Sequence, residues 1–187
     1  IRNRQALEDF IAATRRPRSE ILLLGGDFAE EQRYLLPLFD HLADLYPRIY
    51  AVYGNNDHIA RRRLEAIARR TKVRFLEDEF VDLDGIRLFG TRDPVRDTPR
   101  MPPLSTPLLD RLPLLILSHS PDILLSLPET LTATVIAGHV HGGQIRMPLC
   151  PWWWTHTRVG RAHGEGRSRR GGIEVFTGRG IGCSLMD

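Results

Sequence analysis

Ile21-Leu22-Leu23-Leu24-Gly25-Gly26-Asp27 is a short aliphatic run that stops at a glycine pair and hands over at once to a carboxylate. An apolar run of this length, bounded by turn residues, reads as a buried strand. The arrangement recurs three times. Ile49 to Tyr53 ends at Gly54 and is followed by Asn55, Asn56, Asp57 and His58. Leu114 to Leu117 is followed by Ser118-His119-Ser120, and Thr134 to Ala137 by Gly138-His139-Val140-His141. In an open sheet flanked by helices, the carboxyl ends of the strands form the ligand crevice. Four strand ends then bring one Asp, one Asn and three His to a common edge.

Between these strands the pattern turns helical. Leu7, Phe10 and Ile11 repeat at helical spacing within residues 4–14, and Pro17 closes that helix. A second helix is expected over Glu30 to Leu45, with Pro37 kinking or delaying it. A third covers Arg61 to Arg70, with Leu64, Ile67 and Ala68 on one face. This α/β alternation implies parallel strands. The grammar then changes. Val73–Phe75, Glu79–Leu83 and Ile86–Phe89 read as strands, the last two joined by the hairpin turn Asp84-Gly85. A Pro-rich loop runs from Thr91 to Pro107, and further strands are expected at Thr132–Ala137 and Ile173–Phe176. Gly164-Glu165-Gly166, followed by Arg167, Arg169 and Arg170, reads as a mobile loop. Gly178-Arg179-Gly180-Ile181-Gly182 reads as a tight turn.

The chain has 187 residues, 42% hydrophobic and 26% charged, the balance of an ordinary folded domain, and residues 1–187 are read as a single one. No apolar run approaches the roughly 18 residues of a membrane-spanning helix, and no signal peptide is visible at the start. Cys150 and Cys183 are too few for a disulfide scaffold or a four-cysteine zinc module. The net charge is +3, and Lys72 is the one lysine among 26 basic residues. Arginine suits phosphate, but a charge of this size argues only weakly for nucleic acid. An Arg-rich nucleic-acid binder using Arg158 to Arg170 is therefore a lesser alternative.

Imidazole favours Zn, Fe, Ni or Cu, while carboxylate and amide oxygens suit Mn and Mg. Mixed N/O donors without sulfur point to a hydrolytic centre with exchangeable water positions rather than a structural zinc site. Taken singly, each residue has a plainer explanation. A His after a strand is usually a satisfied turn or core residue, and Asn55-Asn56-Asp57 or Asp27 could cap a helix. The joint pattern is harder to obtain from turn chemistry, because His is not a favoured turn residue.

Gly26-Asp27, Gly54-Asn55, Ser118-His119 and Gly138-His139-Val140-His141, in this order, resemble the calcineurin-like metallophosphoesterases. The continuation Gly142-Gly143-Gln144-Ile145 is similar to the branch with Gly-His-x-His-Gly-Gly-Gln, and the chain is also similar to UDP-2,3-diacylglucosamine pyrophosphatases. The likeness spans roughly Arg2 to Ser184. It implies a four-layer αββα sandwich with two divalent metals at the strand ends. Carried over by position, Asp27 would bridge the metals, Asn55, His119 and His139 would complete one, and His141 would bind the other. A carboxylate has two oxygens and can bridge two cations, which would clamp the attacking and phosphoryl oxygens of an in-line displacement. Manganese is the first expectation, zinc or iron the alternatives.

Two departures qualify the likeness. The family opens with a strand ending in Asp-x-His, which is absent before Asp27, and the chain stops at Gly182-Cys183-Ser184, where the family usually continues. The chain is thus expected to be clipped at both ends and to lack the first strand. A degenerate, non-catalytic metal- or phosphate-binding domain is the alternative. The family also has a catalytic His after the Asn of the second motif. Asn56 stands there instead, and an amide cannot act as a general acid near neutral pH. Asn56 and His58 are thus the two candidates for the catalytic position, with His58 as the available imidazole.

Trp152, Trp153 and Trp154 sit together after Pro151, with Arg146, Arg158 and Arg161 nearby. Core packing explains such a cluster most simply. The functional alternative is an amphiphilic lip for a membrane surface or a lipid headgroup. The expected activity is divalent-metal-dependent hydrolysis of a phosphodiester or pyrophosphate, with a lipid-linked nucleotide pyrophosphate such as UDP-2,3-diacylglucosamine as one substrate. The expected location is cytoplasmic, peripheral on the membrane if the tryptophans make that contact.

Overall fold

A computed structural model of the chain describes residues 1–14, 19–100, 112–142 and 157–181. Helix α1 (Arg4–Ala13) starts at Asn3, whose side chain accepts the Ala6 N–H and so satisfies one orphan donor of the first turn. Strand β1 (Ile21–Leu24), helix α2 (Leu35–Leu45), strand β2 (Arg48–Ala51), helix α3 (Arg61–Thr71) and the short strand β3 (Arg74–Phe75) follow. The three strands form a parallel sheet in the order β1-β2-β3, with Leu24 opposite Ala51 and Ala51 opposite Phe75. Side chains alternate across it, as the pleat requires. Leu22, Leu24, Ile49 and Ala51 pack on one side with Phe39, Leu42, Leu64 and Ile67 of the helices. Ile21, Leu23 and Tyr50 face the other way.

What they face is a second sheet. It is built from β4 (Glu79–Leu83), β5 (Ile86–Gly90), β6 (Leu114–Leu117), β7 (Ala133–Ala137), β8 (Gly166–Arg170) and β9 (Ile173–Thr177), in the order β4-β5-β6-β7-β9-β8. Strands β5, β6, β7 and β9 are parallel, and antiparallel strands β4 and β8 form the two edges. Val81, Leu83, Leu88, Leu117 and Ile136 join Ile21, Leu23 and Tyr50 in the core between the sheets. Phe89, Ile116, Val135 and Val175 line the outer face, covered by Ile123 and Leu124 of a 3-10 helix at Pro121–Ser126. The chain is therefore α/β, with two stacked sheets and helices on the first. Among the described residues the outer cover of the second sheet is this 3-10 helix, a thinner layer than the expected four-layer sandwich supplies.

The other differences have local causes. The second helix begins at Leu35, after a 3-10 turn at Gln32–Tyr34. Pro37 is its third residue, where the missing N–H would have had no helical partner, so neither a kink nor a break is needed. The expected mobile loop around Arg167 is strand β8, which pairs along its full length with β9, Gly166 opposite Thr177 and Arg170 opposite Ile173. Its arginines are engaged: Arg167 pairs with Glu174, and Arg170 with Glu129 and the Leu124 carbonyl. Arg158 likewise pairs with buried Asp122. Among the described residues, no helix is long and apolar enough to cross a membrane. Trp152, Trp153, Trp154, Cys150, Arg146 and Gly143-Gln144-Ile145 lie outside the described residues, as do Gly182-Cys183-Ser184.

Candidate metal centre

The parallel strands of both sheets end at one edge. Asp27 follows β1 through Gly25 and Gly26, and Gly26 has φ +91°. That glycine is required on two counts. Its backbone lies in the left-handed region, and a Cβ there would meet the His119 Nδ1 at 2.9 Å. Asp27, His139 and His141 themselves have positive φ, three of the five non-glycine residues so placed among those described. Such conformations cost roughly 1–3 kcal/mol each and cluster at sites where the strain is used.

Asp27, His119 and His139 each offer a donor atom within 4.8 Å of the others. His119 is the centre of the set. It is 1% exposed, and its Nδ1 lies 2.7 Å from the Gly25 carbonyl. A carbonyl can only accept, so Nδ1 carries the proton and the neutral ring presents a bare Nε2. That Nε2 lies 3.0 Å from Asn55 Oδ1, 3.0 Å from His139 Nδ1 and 3.5 Å from Asp27 Oδ2. Carboxylate, amide and imidazole lone pairs thus converge on one point. A divalent cation among these donors would satisfy them together. The mixed N/O set fits a divalent ion. A buried His held by a backbone carbonyl through its other nitrogen is the usual outer support of a metal ligand.

His141 lines the same cavity, of about 290 Å³, as Asp27, His119 and His139. Its own ring does not join the cluster. His141 Nδ1 donates to the Arg179 carbonyl at 3.1 Å, which orients the ring and leaves Nε2 as its ligand nitrogen. Arg179 is in turn held by Glu165, Nε to Oε2 at 2.8 Å. The Gly178–Gly182 turn therefore borders the site, and its described part lines the cavity through Gly178, Gly180 and Ile181.

Asn56 touches the site differently from its assigned position. Its N–H and Nδ2 donate to the two oxygens of Asp27, at 2.9 and 2.7 Å. It grips the carboxylate rather than offering a proton to a leaving group. His58 is half-buried, and its Nε2 is buried without a hydrogen-bond partner.

Two residues of consequence were not singled out from the sequence. Asp57 is 3% exposed and accepts three backbone N–H groups: Gly54 and Asp27 at 2.8 Å and Phe28 at 3.2 Å. Burial pushes its carboxyl up, and the backbone donors pull it back. It ties the end of β1 to the end of β2, a role hidden behind its plain reading as a turn residue. Asp93 is buried beyond β5. Its signal was present, because Leu88-Phe89-Gly90-Thr91-Arg92-Asp93 repeats the pattern of apolar run, glycine and acid. The following prolines masked it as loop.

No family model matches the chain. Three characterised or named proteins do. The chain is 26% identical over 154 residues to the uncharacterized metallophosphoesterase YkoQ of Bacillus subtilis strain 168, covering 75% of this chain. It is 23% identical over 193 residues to a second such protein of that organism, YkuE, and 26% identical over 189 residues to the phosphodiesterase YaeI of Escherichia coli K12. Those two likenesses cover 96% and 94% of this chain. The chain spans 57% of the length of YkoQ, 67% of YkuE and 68% of YaeI. The order of the motifs, the donors gathered at the strand ends and these likenesses agree: the chain is similar to the metallophosphoesterases.

Proposed function

We propose that this chain carries out divalent-metal-dependent hydrolysis of a phosphodiester. Asp27, Asn55, His119 and His139 hold one cation, and Asp27 with His141 forms part of a second site. The observation that carries this reading is the convergence of lone pairs on His119 Nε2, whose own proton is placed on the far nitrogen by Gly25. The N/O donor set suits manganese, with zinc or iron as alternatives. A bound divalent cation supplies Lewis acidity at the phosphoryl oxygen and eases deprotonation of the attacking water.

The chain's residues supply the rest. Asn56 fixes both oxygens of Asp27, so the carboxylate keeps its orientation between two cations. Asp57 fixes the backbone on which Asp27 stands. With Asn56 committed to Asp27 and His58 Nε2 turned into the interior, no imidazole at these positions meets the leaving group. Good leaving groups are therefore favoured, because general acid catalysis is typically worth about 10²–10⁴ in rate. The phosphodiester is preferred to the lipid-linked pyrophosphate, whose support was the tryptophan cluster outside the described residues.

The test is manganese-dependent hydrolysis of bis-p-nitrophenyl phosphate by the wild-type chain and by His139→Ala. Activity that requires added metal and falls at least a hundredfold in the variant is expected. Equal activity in both would refute the site. A companion measurement uses His58→Ala on an alkyl phosphodiester. At saturating manganese an unchanged rate there is expected, and a large fall would restore His58 as the proton donor.

A further inference from the structure

Among the described residues, two buried polar side-chain atoms have no hydrogen-bond partner: His58 Nε2 and Asp93 Oδ2. Asp93 is 2% exposed, and its other oxygen accepts the Val95 N–H at 2.9 Å. A buried carboxylate oxygen left without a partner is expensive and calls for an explanation.

The ladder between β5 and β6 brings the chain leading to Asp93 beside the chain leading to His119. Gly90 is opposite Leu117, and the pairing continues past both strands: Thr91 N–H donates to the Leu117 carbonyl at 3.0 Å, and Thr91 Oγ1 to Ser118 Oγ at 3.1 Å. Two residues after Thr91 comes Asp93, and one after Ser118 comes His119. The charges acting on Asp93 are consistent with that placement. Burial raises its carboxyl above the ordinary range, His119 and His58 draw it down, and Asp27 pushes it up.

Charge accounting gives the position a purpose. The donors Asp27, Asn55, His119 and His139 bring one negative charge to a divalent ion. Asp57 is already committed to three N–H groups. Asp93 is the buried carboxylate with an oxygen to spare. We propose that Asp93 is a positioning residue of the cation site, supplying a second negative charge near it, and that one buried water joins Asp93 Oδ2 to His58 Nε2. Water of this kind bridges buried polar atoms that have no other partner. The proposal rests on the reading of the cluster as a cation site. Charged groups around the ligands of a metal typically change its affinity 10–100-fold.

The test is Mn²⁺ affinity by isothermal titration for the wild-type chain, Asp93→Asn, His58→Gln and His139→Ala. Thermal melting of each metal-free protein is measured first. Asp93→Asn keeps the size and the acceptor for Val95 while removing the charge. It is expected to melt at least as high as wild type and to bind Mn²⁺ about 10–100-fold more weakly. His58→Gln keeps a polar partner for the water and is expected to lose less than Asp93→Asn. Wild-type affinity in Asp93→Asn, beside lost binding in His139→Ala, would overturn the role of Asp93 and leave the cation site standing. Wild-type affinity in His139→Ala would overturn the site itself. A high-resolution crystal structure of the wild-type chain, which does not depend on any variant folding, is expected to show the bridging water. A dry gap or a direct His58–Asp93 contact would overturn that part.

Discussion

Gly54 has less room for a side chain than the other described glycines near the centre. A Cβ there would fall on Asp27 Oδ1 and within 2.6 Å of the Asp27 nitrogen. Neither can move without breaking the bonds from Asp57 and Asn56. Gly54→Ala is thus expected to lower manganese affinity at least tenfold while leaving the far-ultraviolet circular dichroism unchanged, and titration of the purified variant checks it. A separate residue governs the response to acid. His163 is buried, with Nδ1 2.8 Å from Ser168 Oγ. Burial first, and the Arg170 charge second, hold its pKa below the usual 6.5. The unfolded chain then takes up the proton before the folded one does. The contribution is intact above pH 6.5 and is lost as the pH falls from 6.5 through the lower folded value. The melting temperature of wild type should therefore drop more between pH 7 and pH 5 than that of His163→Gln. Parallel profiles would remove His163 from the acid response.

At the scale of the element, close approach sets the geometry. Gly90 ends β5 where a Cβ would overlap Leu76, the buried residue that follows β3. Gly90→Ala is expected to cost about 1–3 kcal/mol, the usual range for overpacking, read as a lower midpoint in urea. The elements with a strong period were legible in the sequence. Leu64 and Ile67 marked α3, and the aliphatic runs marked β1, β6 and β7. The Asp84-Gly85 turn marked the hairpin, which closes with Leu83 opposite Ile86. Strand β8 was not legible, because Gly166-Arg167-Ser168-Arg169-Arg170 has no apolar face of its own and is ordered by the ladder to β9. The 3-10 helix at Pro121–Ser126 was hidden for a similar reason. It is shaped by the Ser120 cap on Asp122 N–H and by packing on the sheet, not by a helical period. At the site, Asp27, Asn55, His119 and His139 stood out as strand-end residues. Asp57 and Asp93 did not, because their work is to hold backbone and charge that only the folded chain brings close.

The two sheets meet at the proposed metal donors. Asp27 and Asn55 follow strands of the first sheet, and His119 and His139 follow strands of the second. A bound cation therefore stabilises the fold by mass action, about 2.7 kcal/mol at a hundredfold excess over its Kd, so the melting temperature should rise with manganese and return to its metal-free value in EDTA. Leu88→Ala empties part of the core between the sheets, at a cost of about 2–5 kcal/mol, and should also weaken manganese binding. Phe39→Ala is comparably costly but lies on the helix side of the first sheet, and its folded form should bind manganese nearly as wild type does. Titrations at a temperature where both variants are folded distinguish the two. Strand β8 has one further consequence, for molecules in numbers. Among the described residues it is the outermost strand of a six-stranded sheet, and an edge strand is a template on which another copy could stack. Arg167 and Arg169, both exposed, line that edge. Charged side chains on an edge strand hinder its pairing with another sheet, so an arginine-rich β8, with Arg167 held by Glu174, discourages stacking at this end.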